Sequence, residues 1–63
     1  MSPQAFRAWL AEMKSAGLAR SAAEAGRLLG KSEDQMTRYK RDGADKTVAL
    51  ACRALLHRLE PYA

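Results

Sequence analysis

The two residue types that most often carry reactions, Cys and His, occur once each, as Cys52 and His57. Five residues apart on a helix, they point about 140° away from each other, so they cannot form a nucleophile and its base. Cys52 therefore reads as a small buried apolar residue. One Cys and one His are too few for a zinc site, and no glycine-rich loop is present to cradle a phosphate. The expectation is a protein that is not an enzyme and uses no cofactor, metal or small-molecule substrate. The chemistry left is that of charge. Eleven Lys and Arg against seven Asp and Glu give a net charge of +4, which favours anionic partners, nucleic acid first and an anionic membrane surface second. A basic surface that only keeps the protein soluble fits the composition equally well.

These side chains must be positioned by a very small scaffold. Sixty-three residues make a single domain, 1–63, near the lower size at which a chain folds without disulfides or metals. The lone cysteine rules out an intrachain disulfide. No apolar run has the length of a membrane span or a signal-peptide core. A cytoplasmic protein with no membrane partner is expected, and a chain opening at Met1 without a tag reads as a complete product. Nothing alternates with the period of two that a strand requires, so the fold class is all-α, a compact bundle of four or five short helices.

Ser2 and Pro3 open the first helix, as cap and first-turn proline. Phe6, Trp9, Leu10 and Met13 form its apolar stripe, Gly17 ends it, and Leu18 tucks back beneath it. Ser21 and Glu24 have the spacing of a capping box and start a second helix running to about Leu29. Its inward face is Ala22, Ala25, Leu28 and Leu29, with Gly26 offering clearance to a neighbour. Gly30 stops it. Ser32 and Gln35 repeat the capping spacing and start a third helix to about Arg41, whose only sizeable apolar residues are Met36 and Tyr39. Asp42 and Gly43 then turn the chain. Asp45 caps a fourth helix to about Leu59, in which Val48, Ala51, Cys52, Leu55 and Leu59 share one face. Leu50 and Ala54 fall on the opposite side, beside His57.

The informative stretch is Ser21 to Arg41, a capped short helix, a tight glycine turn and a second capped helix with little apolar content. Helices joined so closely cross steeply, and Gly26 gives the clearance for it. The segment from Ser21-Ala22-Ala23-Glu24-Ala25-Gly26 through Arg27-Leu28-Leu29-Gly30-Lys31-Ser32, with Met36 and Tyr39 beyond, resembles the helix-turn-helix of Cro-like and lambda-repressor-like DNA-binding proteins. Gly26, Gly30, Met36 and Tyr39 fall where that family has a small residue, a turn glycine and two apolar positions. Phe6-Arg7-Ala8-Trp9 and Val48-Ala49-Leu50-Ala51 extend a looser likeness to short phage and mobile-element members. The chain departs from the pattern at Ala22, where glutamine is usual, at Lys31, where an apolar residue is usual, and at Ala19 and Arg20, which lengthen the connection after the first helix.

The resemblance implies that the third helix is the recognition helix and that its N-terminal half lies in the major groove. With Met36 and Tyr39 inward, Asp34, Thr37, Arg38 and Arg41 face outward. Arg38 and Arg41 are the leading base readers, since arginine can donate a bidentate pair to guanine O6 and N7. Thr37 can touch a thymine methyl, and Gln35 can pair with adenine or serve its capping box. Asp34 can hold the Arg38 guanidinium from one turn away or accept from cytosine, whereas Glu33 suits the helix N-terminus. Arg27, Lys31, Ser32, Lys40 and Lys46 flank the motif as phosphate contacts, and Arg20 stands in for the missing glutamine. Trp9 and Tyr39 read as core, not as stacking platforms. The resemblance further implies a transcriptional regulator, a repressor occupying a promoter, bound as a homodimer to a palindromic operator. Leu50, Ala54 and His57 are the expected dimer contacts. The competing reading is a protein-interaction module, such as an antitoxin or phage accessory protein, built on the same scaffold.

Overall fold

The computed structural model describes residues 1–62 as four α-helices: α1 (Pro3–Ser15), α2 (Ala22–Leu29), α3 (Glu33–Asp42) and α4 (Lys46–Leu56). No strand occurs among the described residues, so the chain is the compact all-helical bundle that its periodicities imply. Each helix start has a side-chain oxygen on an otherwise orphaned backbone N–H. Ser2 accepts from Ala5 at 3.0 Å, Ser21 from Glu24 at 3.1 Å, Ser32 from Gln35 at 3.2 Å and Asp45 from Val48 at 2.9 Å.

Helix α1 carries the centre of the core. Its Phe6, Trp9 and Met13 are buried together with Ala19, Ala25, Met36, Val48 and Cys52, and Leu10 is half-buried. The Phe6 ring lies 5.5 Å from Trp9 and meets Tyr39 edge-on at 5.4 Å, an arrangement aromatic quadrupoles favour. Trp9 Nε1 donates to the Cys52 carbonyl at 3.0 Å, which satisfies the indole and fastens α1 to α4. Both aromatic residues proposed as core are thus engaged there. Burying a side chain of this size contributes roughly 1.5–3 kcal/mol, so these few residues dominate a molecule with no buried charged side chain among the described residues.

Helices α3 and α4 each pack on α1 and α2 but not on each other. This division leaves α3 supported from one side only. The amino terminus adds a tie across the α3–α4 connection. The Met1 ammonium donates to the Ala44 carbonyl at 2.9 Å, and the Ala44 N–H donates back to the Met1 carbonyl at 2.9 Å.

The structure corrects the sequence reading of burial and helix ends at four places. Ala19, read as part of a lengthened connection, is core: the turn after α1, closed by Leu18 N–H on the Met13 carbonyl at 2.9 Å, brings it to 2% exposure. Leu28, expected on the inward face of α2, is 49% exposed. Close approach of α3 at Gly26 centres the buried face of α2 between Ala25 and Gly26 and rotates Leu28 outward. Helix α4 ends at Leu56, not Leu59, because Arg58 takes a left-handed conformation with φ 56° that closes the helix. Leu59 is consequently 62% exposed, outside the face assigned to it. Helix α3 runs one residue further than expected, to include Asp42.

Candidate nucleic-acid interface

The geometry of this surface begins at Gly26. A Cβ there would lie 2.9 Å from Met36 Cγ and 3.1 Å from the Lys31 carbonyl oxygen, distances at which something must shift. The bare backbone lets Met36, 2% exposed, press directly against α2. Gly30 then reverses the chain with φ 72°, a conformation that costs most other residues about 1–2 kcal/mol. Its closure is completed by the Lys31 N–H on the Gly26 carbonyl at 2.8 Å, a Schellman-type end. Only three residues, Gly30 to Ser32, separate α2 from α3.

The start of α3 is held by a complete capping box. Ser32 Oγ accepts from the Gln35 N–H, and Gln35 Oε1 accepts from the Ser32 N–H at 2.9 Å. Gln35 is half-buried and its carbonyl oxygen is committed to the backbone, which leaves its NH2 group as the part able to donate elsewhere. The box expected at Ser21 and Glu24 forms by half: Ser21 caps, but the Glu24 carboxylate lies 3.6 Å from Arg20 instead. Arg20 nonetheless keeps 90% of its side chain exposed.

With Met36 buried and Tyr39 half-buried, the opposite side of α3 is open. Asp34, Thr37, Arg38 and Arg41 are all exposed, on the outward face anticipated from spacing. Asp34 does not pair with Arg38 among the described residues. On α3 the carboxylate that engages an arginine is Asp42, which accepts from Arg41 Nε at 3.1 Å and Nη2 at 2.9 Å. These hydrogen bonds, reinforced by the charges of Arg41 and of Arg38, hold the Asp42 carboxyl below the usual carboxylate range. In turn they keep the Arg41 guanidinium more firmly protonated.

Around this face, Arg27, Ser32 and Lys46 are exposed and Lys31 and Lys40 half-buried. Thr37, Lys40 and Glu33 border a shallow depression of about 220 Å³ floored by Met36 and the first residues of α2, Ala22 and Ala23. Arg7, to which the sequence reading gave no role, is bound to this unit: its Nη1 donates to the Lys40 carbonyl, where the exposed C-terminal carbonyls of α3 attract a cation. No sequence signal links residues 33 apart in this way. The Asp42 grip on Arg41 has no spacing signal either, since adjacent helix positions do not ordinarily face each other.

The expected dimer contacts lie away from α3. Leu50 is 63% exposed, Ala54 half-buried and His57 an exposed helix cap. Cys52 is buried, and burial pushes its thiol up to about 11, far from a reactive thiolate. Among the described residues no three His, Cys, Asp or Glu side chains gather as metal ligands, and no helix is long and apolar enough to cross a membrane. The chain matches no family model, no curated protein and no solved structure among those compared with it.

Proposed function

We propose that the protein is a sequence-specific double-stranded DNA-binding regulator, a repressor that inserts α3 into the major groove at a promoter. One observation supports this most: a helix capped at its start and anchored through Met36 and Tyr39 on one side only, with Thr37, Arg38 and Arg41 on the free side. A helix of ordinary diameter fits the major groove, and arginines on its free face are the side chains that discriminate guanine there. Arg20, Arg27, Lys31, Lys40 and Lys46 supply phosphate contacts, which set affinity and register without reading sequence. Occupying a promoter is a mechanism that such a DNA-binding domain can carry out by itself.

Binding as a homodimer belongs to the same reading, because one short helix covers too few base pairs and paired half-sites extend the sequence read. The exposed Leu50, with Ala54 and His57 beside it on α4, is the contact assigned to the second copy, and α4 does not pack on α3. Selection of bound sequences from a random duplex library, followed by gel shifts of the winners at several salt concentrations, tests the proposal. The expected result is a palindromic site bound by two chains, with log affinity falling by about 0.9 per phosphate neutralised. Arg38→Ala should abolish the preference for the selected site, whereas Lys31→Ala should weaken selected and random duplexes alike. A chain that enriches no sequence and binds duplex no better than a neutral protein would sink the reading.

A further inference from the structure

Asp42 is an oddity on this surface. Glu33 and Asp34 sit in the first turn of α3, where negative charge is favoured, but Asp42 is the last residue of the helix, where the backbone carbonyls already concentrate negative potential. It contributes nothing as a cap there, and beside DNA its carboxylate would repel phosphates. What it does is grip Arg41: Nε reaches Oδ1 at 3.1 Å and Oδ2 at 3.2 Å, and Nη2 reaches Oδ2 at 2.9 Å.

A guanidinium has five N–H donors arranged on a rigid plane. The Asp42 grip consumes the edge made by Nε and one Nη2 hydrogen. The edge formed by Nη1 and the second Nη2 hydrogen is left over, and it matches the paired acceptors N7 and O6 of guanine. An arginine without such a partner swings among rotamers and settles readily on the nearest phosphate. Both partners are well exposed, at 67% and 58% of their side chains, so the pair can meet DNA without rearranging the core.

We propose that Asp42 is a positioning residue for sequence reading, holding one edge of the Arg41 guanidinium so that the other addresses a guanine and not a phosphate. The inference rests on the DNA-binding reading above and deepens it by naming what selects the base. The structure moves the carboxylate–arginine partnership from Asp34 and Arg38, expected from spacing, to the far end of the same face.

The test compares wild type, Asp42→Asn, Asp42→Ala and Arg41→Ala in selections from a random duplex library and in salt titrations on random duplex. Thermal unfolding confirms that each variant is folded. Wild type is expected to prefer guanine about tenfold at one position per half-site, and Arg41→Ala to lose that preference. Both Asp42 variants should lose it at the same position. They should also bind random duplex several-fold more tightly, with a salt slope steeper by about one phosphate contact, because the freed arginine now reaches the backbone. An Asp42→Asn protein that keeps the guanine preference, or gains affinity equally for every sequence, would overturn the positioning role and leave DNA binding intact. Failure of wild type to bind or select any duplex would overturn both.

Discussion

The joint between α2 and α3 and the exit from α4 use the same backbone closure with different residues. At the joint, Gly30 is left-handed at φ 72° and the next N–H reaches back to the Gly26 carbonyl at 2.8 Å. At the exit, Arg58 is left-handed at φ 56° and the next N–H reaches back to the Ala54 carbonyl at 3.0 Å. Glycine adopts the turn without a Cβ penalty, while arginine is strained in it. The first closure leads into a seam so close that Met36 fills the space a Cβ would need. The second leads to Leu59 lying 62% exposed. One hydrogen-bond pattern thus serves a fixed orientation in one place and a loosely supported end in the other. What distinguishes them is packing beyond the turn, not the turn itself.

That contrast can be broken most severely at the seam. Gly26→Leu should destabilise the protein by about 3 kcal/mol through overpacking against Met36 and the Lys31 backbone, seen as a lowered urea midpoint. If α2 and α3 instead separated to accept the side chain with no loss of stability, the seam would not be what orients α3.

Next in size is a pH effect on the buried side of α4. The folded thiol of Cys52 ionises near 11, above its ordinary value of 9.0, so the folded state holds its proton more tightly than the unfolded chain. Stability is unaffected below about pH 9, falls as pH rises through the window between the two values, and levels off above the upper one. The loss approaches roughly 2–3 kcal/mol. Denaturant titrations from pH 8 to pH 11 should show it, and Cys52→Ala should remove that part of the slope.

The smallest effects test the closures themselves. Gly30→Ala should cost about 1 kcal/mol, and Arg58→Gly should gain about 0.5–1 kcal/mol by relieving the same backbone strain. Thermal unfolding of the two variants measures opposite signs if the turns are equivalent. A loss on Arg58→Gly would mean that the arginine side chain contributes a contact outweighing its backbone strain.

The same comparison explains which features of the fold could be read from residues alone. Where local chemistry specifies geometry, spacing was enough: Ser32 and Gln35 form their capping box, Gly30 turns the chain, and Met36 and Tyr39 define the inner side of α3. Reading failed at Glu24, where a local pair with Arg20 replaces the second half of the capping box, and otherwise mostly where a tertiary contact decided. Leu28 stands three residues after Ala25, a same-face helical spacing, but the side on which α3 approaches rotates it outward. Ala19 looked like connection because a small residue gives no burial signal until the turn folds it inward. The end of α4 was hidden because Arg58 adopts a conformation usually announced by glycine. On the candidate site, the outward placement of Asp34, Thr37, Arg38 and Arg41 followed from the period of the helix. The Arg7 contact with the Lys40 carbonyl depends on how α1 meets α3, which no local pattern encodes.

The reciprocal pair of hydrogen bonds between Met1 and Ala44 has a practical side. Anything fused ahead of Met1 would emerge beside the loop following α3 and crowd Gly43, where even a Cβ would come within 2.5 Å of the Met1 carbonyl oxygen. Purification handles and fluorescent labels therefore belong after Tyr62, whose side chain is fully exposed, so that the probe does not disturb the helix it is meant to report on.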